Sequence, residues 1–172
     1  MEVKNLILSE EELQARAREY QQAPLQQEEK SLRHLLLFSL EQQWYACSVE
    51  ELKETLPIQL LTPLPYTHPA VAGLINLRGT LLLTCDLGKF FDMSTAGSPG
   101  KIIVARTGHD LTGLLVETIK GVDAIPQTAF QSGIETARGI PPAYIRGVTL
   151  YHEAPLLWLD IQKIVKKIEE LL

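Results

Sequence analysis

The sequence predicts a mostly β protein, a barrel or sandwich of roughly eight to ten short strands. Three observations carry that prediction. From His34 onward, short apolar runs recur about every ten residues and are separated by turn-forming residues. No crossover helices separate them, which excludes parallel βαβ units. The stretch Val71–Asp86, VAGLINLRGTLLLTCD, reads as an apolar strand, a tight turn and a second apolar strand ending on an acid.

Composition sets the bounds. The chain of 172 residues suits one domain, or two small ones sharing a core. Aromatics supply only 6% of it, so the core must be built from Leu, Ile and Val. A net charge of −5 argues against a nucleic-acid surface and against a polybasic membrane anchor. No apolar run approaches the roughly 20 residues needed to span a bilayer, and the acidic start MEVKNLILSEEEL does not resemble a signal peptide. Cys47 and Cys85 each sit inside an apolar run and read as a reduced, buried pair, which fits the cytoplasm.

Taken in order, residues 1–30 form a polar arm, partly helical through the capping box Ser9–Glu12 and ended by Pro24. Residues 31–172 form the folded domain. HLLLFSL (34–40) is apolar on both faces and should be buried; Glu41–Gln43 turns the chain into WYACSV (44–49). Val49, Leu52 and Leu56 fit a helical turn that straightens before Pro57. Pro63, Pro65 and Pro69 mark an extended connector.

In the 71–86 hairpin, Asn76 and Gly79 occupy the first and fourth positions of an expected type I turn. Asp86 is placed to cap a helical turn, LGKFF. Residues 92–100 are a loop, followed by strands at 101–106, 111–117 and 119–125, with Thr107–Asp110 closing a hairpin. Residues 126–142 look irregular. AYIRGVTL (143–150) and PLLWL (155–159) make a last hairpin around His152–Glu153. The chain closes on a helix capped by Asp160, with Ile161, Ile164, Val165, Ile168, Leu171 and Leu172 on one face. No internal repeat stands out.

Catalytic chemistry is not visible in this pattern. His34, His68, His109 and His152 are scattered, so neither a metal nor a cofactor is expected. No Gly-rich phosphate loop or nucleophile elbow is present. A small cysteine hydrolase using Cys85 is a remote alternative, but Asp86 beside it points to the opposite strand face and cannot serve as its base. Arg78 is different: a guanidinium on a tight turn holds five donors on a rigid base, aimed away from the sheet, which suits presentation to another protein.

The segment GLINLRGTLLLTCDLGKFF resembles the signature of the CheW family, coupling proteins of bacterial chemosensory arrays, through Gly73, Asn76, Arg78, Gly79, Asp86 and Leu87. The likeness runs from about Leu32 to Val165. WYACSVEELKETL is similar to the family's early strands, with Glu54 as the characteristic glutamate; residues 101–122 and 143–164 are similar to its later strands and final helix. Departures are Leu83 where proline is usual, Val116-Glu117 for Val-Asp, and Ala46-Cys47 for Gly-Ile.

The resemblance implies two small intertwined five-stranded SH3-like β-barrels with a C-terminal helix, and a non-enzymatic adaptor. Its implied partners are the regulatory domain of a CheA-type histidine kinase and the cytoplasmic tips of methyl-accepting chemoreceptors. A PilI-like adaptor of a type IV pilus twitching or phototaxis system is the alternative. The partner-binding residues it implies are Leu52, Glu54, Gly73, Leu74, Ile75, Asn76, Arg78 and Gly79. A bidentate Glu54–Arg78 pair would lock the turn, either as structure alone or while Arg78 touches a partner. Gly73 and Gly79 serve as turn glycines or admit a partner backbone. Leu52, Leu74 and Ile75 belong to the core or to a groove between the barrels that takes an amphipathic receptor helix. Of the neighbours Leu74 and Ile75, one should face in and the other out.

Overall fold

The computed structural model describes residues 31–65, 67–93, 98–132 and 139–172; the arm with its capping box lies outside them. Among these residues ten strands run in chain order: β1 Leu32–Leu40, β2 Gln43–Ser48, β3 Leu52–Pro57, β4 Val71–Leu77, β5 Thr80–Asp86, β6 Lys101–Thr107, β7 Asp110–Val116, β8 Thr118–Pro126, β9 Ile145–Tyr151 and β10 Ala154–Leu159. Two α-helices among the described residues follow strands: α1, Leu87–Phe90, after β5 and α2, Ile161–Glu169, after β10. The strands form two five-stranded sheets, ordered β8-β1-β2-β10-β9 and β3-β6-β7-β5-β4. The first lobe is therefore built from both ends of the domain and the second from its middle.

Each sheet is rolled, and its two edges meet at a single bridge rather than along a full ladder. Beyond β3, Thr62 exchanges two 2.8 Å backbone hydrogen bonds with Leu74 of β4. Beyond β8, Gln131 does the same with Val148 of β9 at 2.9 Å. From Pro57 to Thr62, and from Pro126 to Gln131, the chain reaches at most about 17 Å. The edges of a flat five-stranded sheet lie about 19 Å apart, so the sheet must curl for these bridges to form.

Alternation explains why so many strands are apolar on both sides. In β1, Leu35 and Leu37 fill the first lobe's own core, whereas Leu36, Phe38 and Leu40 enter a core shared between the lobes. In β6, Ile102 and Val104 fill the second lobe while Ile103 and Ala105 join the shared core. β10 splits in the same way, with Leu156 and Trp158 inward and Leu157 and Leu159 shared. Ile161, Ile164, Val165 and Ile168 of α2 complete the shared core. The helix ends at Glu169, so Leu172, expected on its buried face, is 68% exposed.

Two expectations are corrected, and two features lie beyond what the sequence showed. Of the segment Val49–Pro57, only Val49–Glu51 forms a helical (3-10) turn; Leu52 and Leu56 belong to β3, whose Leu56 pairs with Ile102. The spacing of Val49, Leu52 and Leu56 mimicked a helix, but Leu52, Glu54 and Leu56 alternate inward as a half-covered strand does. The 76–79 turn is a two-residue loop with positive φ at Arg78 (51°) and Gly79 (87°), as in a type I′ turn, because Leu77 already pairs with Thr80. That turn follows the twist of the strands, whereas type I would splay them. The β10–β2 and β5–β7 pairs are parallel, so missing crossover helices exclude βαβ units but not parallel neighbours.

The structure also holds a concealed repeat of topology. The succession β8, β9, β10, α2, β1, β2 places its elements in the first sheet where β3, β4, β5, α1, β6, β7 stand in the second. Gly73 precedes the bridging Leu74 as Gly147 precedes the bridging Val148. The turn Arg78-Gly79 matches His152-Glu153, where both residues again have positive φ. Asp86 and Asp160 both cap the following helix, accepting from Lys89 N–H at 3.0 Å and Lys163 N–H at 3.2 Å. Circular permutation hides this in the sequence, and the two Arg-Gly pairs, Arg78-Gly79 and Arg146-Gly147, fall at different places in the two halves.

Candidate functional site

The β4–β5 turn projects a charged side chain, Arg78, from the second lobe. Asn76 Oδ1 accepts the Gly79 N–H at 2.7 Å and closes the loop. Arg78 then reaches across the seam of the sheet to β3. Its Nη1 donates to Glu54 Oε1 at 3.1 Å and its Nη2 to Oε2 at 2.8 Å, a bidentate fork. Glu54 is mostly covered, its side chain 19% exposed, while that of Arg78 is 72% exposed. The carboxylate thus fixes the direction of a guanidinium that remains open to solvent.

The neighbouring residues divide by burial. Ile75 is 1% exposed and packs with Leu77, Leu82, Ile102, Val104 and Leu115 inside the second lobe. Leu74 is half-buried and carries the seam bridge through its backbone. Leu52 is half-buried against the shared core. Asn76, Arg78 and Gly79 are exposed. Gly73 has φ of 137°, and a Cβ there would stand 2.3 Å from the Thr62 carbonyl oxygen. The backbone that approaches Gly73 is this chain's own. Around Gly79 (φ 87°) a Cβ would meet nothing within 4 Å.

The first lobe closes its seam with different chemistry. Tyr151 of β9 donates a 2.6 Å hydrogen bond to Asp123 of β8, which holds the Asp123 carboxyl below its ordinary value. Lys120 lies 4.6 Å from the Tyr151 ring centroid and 5.6 Å from that of Trp44, within cation–π range. Sequence reading passed over these residues because each looked like an ordinary strand position. It also passed over Arg146, a charge in the apolar run AYIRGV. Its guanidinium binds Glu51, the Ser48 hydroxyl (3.1 Å) and Asp160 (3.2 Å) where the chain crosses between lobes.

Cys85 is fully buried, and desolvation followed by the charge of Asp86 pushes its thiol up to about 12. Its sulfur faces the Asp86 carbonyl oxygen at 3.9 Å rather than a base. Cys47 is also fully buried, and burial raises its thiol well above the ordinary range. A thiol held protonated away from solvent is no nucleophile, which removes the basis of the hydrolase alternative. No helix among the described residues is long and apolar enough to cross a membrane.

Comparison with known proteins adds independent findings. The family described as CheW-like domain matches residues 34–169, most of the chain. The chemotaxis protein CheW of Treponema pallidum is 27% identical over 136 residues, covering 76% of this chain and 80% of that protein. CheW of Thermotoga maritima is 29% identical over 135 residues, covering 78% and 88%. The crystal structure of the scaffolding protein TtCheW from Thermoanaerobacter tengcongensis superposes with a TM-score of 0.70 over 76% of this chain and 85% of that one; at 22% identity it speaks for the fold.

Proposed function

The chain belongs to the CheW-like domain family, and we propose that it is a cytoplasmic, non-enzymatic adaptor joining chemoreceptors to a histidine kinase. Its similarity to chemotaxis CheW proteins over most of their length supports the general scaffold role. The finer reading names two partners: the regulatory domain of a CheA-type kinase and the cytoplasmic tips of methyl-accepting receptors. The contact surface comprises β3 and the β4–β5 turn, with Leu52, Glu54, Leu74, Asn76, Arg78 and Gly79 at or near it. Gly73 and Ile75 support it from behind.

One observation carries this reading. Arg78 is exposed yet held in one direction by two hydrogen bonds to Glu54. A guanidinium fixed before binding loses little conformational freedom when a carboxylate or carbonyl partner arrives. Such an arrangement suits recognition, because exposed ion pairs contribute only about 0.2–1 kcal/mol to folding.

The test is a pull-down and titration with the kinase regulatory domain from the same organism, comparing the native protein with Arg78→Ala. Binding should weaken at least tenfold while Tm falls by no more than about 4 °C, the shift that about 1 kcal/mol produces in a domain of this size. A large fall in Tm with unchanged affinity of the folded protein would make Arg78 purely structural. Flagellar and pilus-type kinase domains assayed side by side decide which pathway is served.

A further inference from the structure

The chain passes from the first lobe to the second through the crossing Val49–Glu51, whose Val49 packs against the shared core. Its leading residue, Ser48, makes no side-chain cap to the 3-10 turn. The Ser48 hydroxyl instead accepts from Arg146 at 3.1 Å and from the Trp158 indole N–H at 3.2 Å. Arg146 also binds Glu51 and, at 3.2 Å, the capping carboxylate of Asp160, and its guanidinium lies 5.6 Å from the Trp158 ring centroid. One side chain on β9 therefore ties together the crossing, the end of β10 and the start of α2.

Glu51 makes that tie consequential. Its side chain is about nine-tenths buried, and one of its oxygens has no hydrogen-bond partner among the described residues. Without Arg146, a nearly buried carboxylate would lose its cation, which is strongly unfavourable unless the carboxyl takes up a proton or the crossing shifts to admit water. Glu51 is followed directly by β3, an edge strand whose pairing with β6 shifts register between Leu52 and Glu54. A displaced crossing would thus move Glu54, the anchor of Arg78.

We infer that Arg146 is a positioning residue: by pinning the Ser48–Glu51 crossing it sets β3, and through Glu54 it sets the direction of Arg78. The inference deepens the proposed adaptor reading, but its structural half stands without any partner.

Hydrogen exchange on the full-length protein tests it. In Arg146→Ala, the amides of Leu52–Thr55 should exchange roughly 2- to 30-fold faster relative to those of β6 and β7, the span that coupling through packed networks covers. Arg146→Lys keeps the charge without the planar fork and should give a smaller change of the same sign, which also guards against Arg146→Ala failing to fold. Uniform acceleration across β3, β6 and β7 in either variant, or none, overturns the inference. In titrations with a kinase regulatory domain, Arg78→Ala added to Arg146→Ala should weaken binding less than it does alone; simple additivity overturns the link between the two arginines. A native protein that does not bind that domain would refute the adaptor reading, while the exchange comparison would still decide the positioning role.

Discussion

Glu51 shows how a single carboxyl can work against the fold that contains it. Burial raises it above its ordinary value of 4.5, and the charge of Arg146 only partly offsets that rise. A group titrating higher in the folded state contributes stability that is fully present below its unfolded value and is lost as pH rises through the folded one. The variant Glu51→Gln does not titrate there, so its stability relative to the native protein should rise from pH 4 to pH 7 in urea unfolding. Asp123 and Glu170, whose carboxyls are lowered, act in the opposite direction but are common to both proteins and cancel. A difference that stays flat or falls would show that Glu51 is not held high. At this scale the sequence was legible where local geometry decides. Asp86 and Asp160 read as caps because the acid stands between a strand and a helical pattern. Arg146 did not, because its three partners come from positions up to 98 residues away.

Among the elements, the seam of each sheet decides what a glycine is for. Gly73 and Gly79 look alike in the sequence, both expected at a turn, yet only Gly73 lies under a crossing backbone. Gly73→Ala combines a left-handed backbone with an overlap on the Thr62 carbonyl, and should cost on the order of 2–4 kcal/mol. Gly79→Ala faces open space and should cost about 1 kcal/mol from backbone strain alone. Urea denaturation of the two variants distinguishes them; equal losses would mean that the Thr62–Leu74 bridge does not constrain the lobe. Most strands and both helices were legible because alternation and caps are local signals. The type I′ turn and β3 were misread because the pairing partner, Thr80 in one case and Ile102 in the other, selects the conformation.

For the whole molecule, the repeat matters because it makes the middle of the protein common property. The shared core draws on β1, β2, β5, β6, β7, β10 and both helices, so neither lobe owns the residues that bury its outer face. Such an arrangement should make the lobes unfold together although each also has its own core. Ile164 of α2 is fully buried in that common layer, and Ile164→Ala should cost about 2–5 kcal/mol through the cavity it leaves. If the layer couples the lobes, the loss registers equally in both. Trp44 and Trp158 report on the first lobe by fluorescence, and amide exchange in β6 and β7 reports on the second. Their transitions should shift together and remain coincident. A variant in which the tryptophan transition moves while β6 and β7 keep their protection would show two independent barrels joined by a linker. Signals could then not pass between partners through the packed centre and would have to travel along the two chain crossings, Ser48–Glu51 and Val116–Thr118.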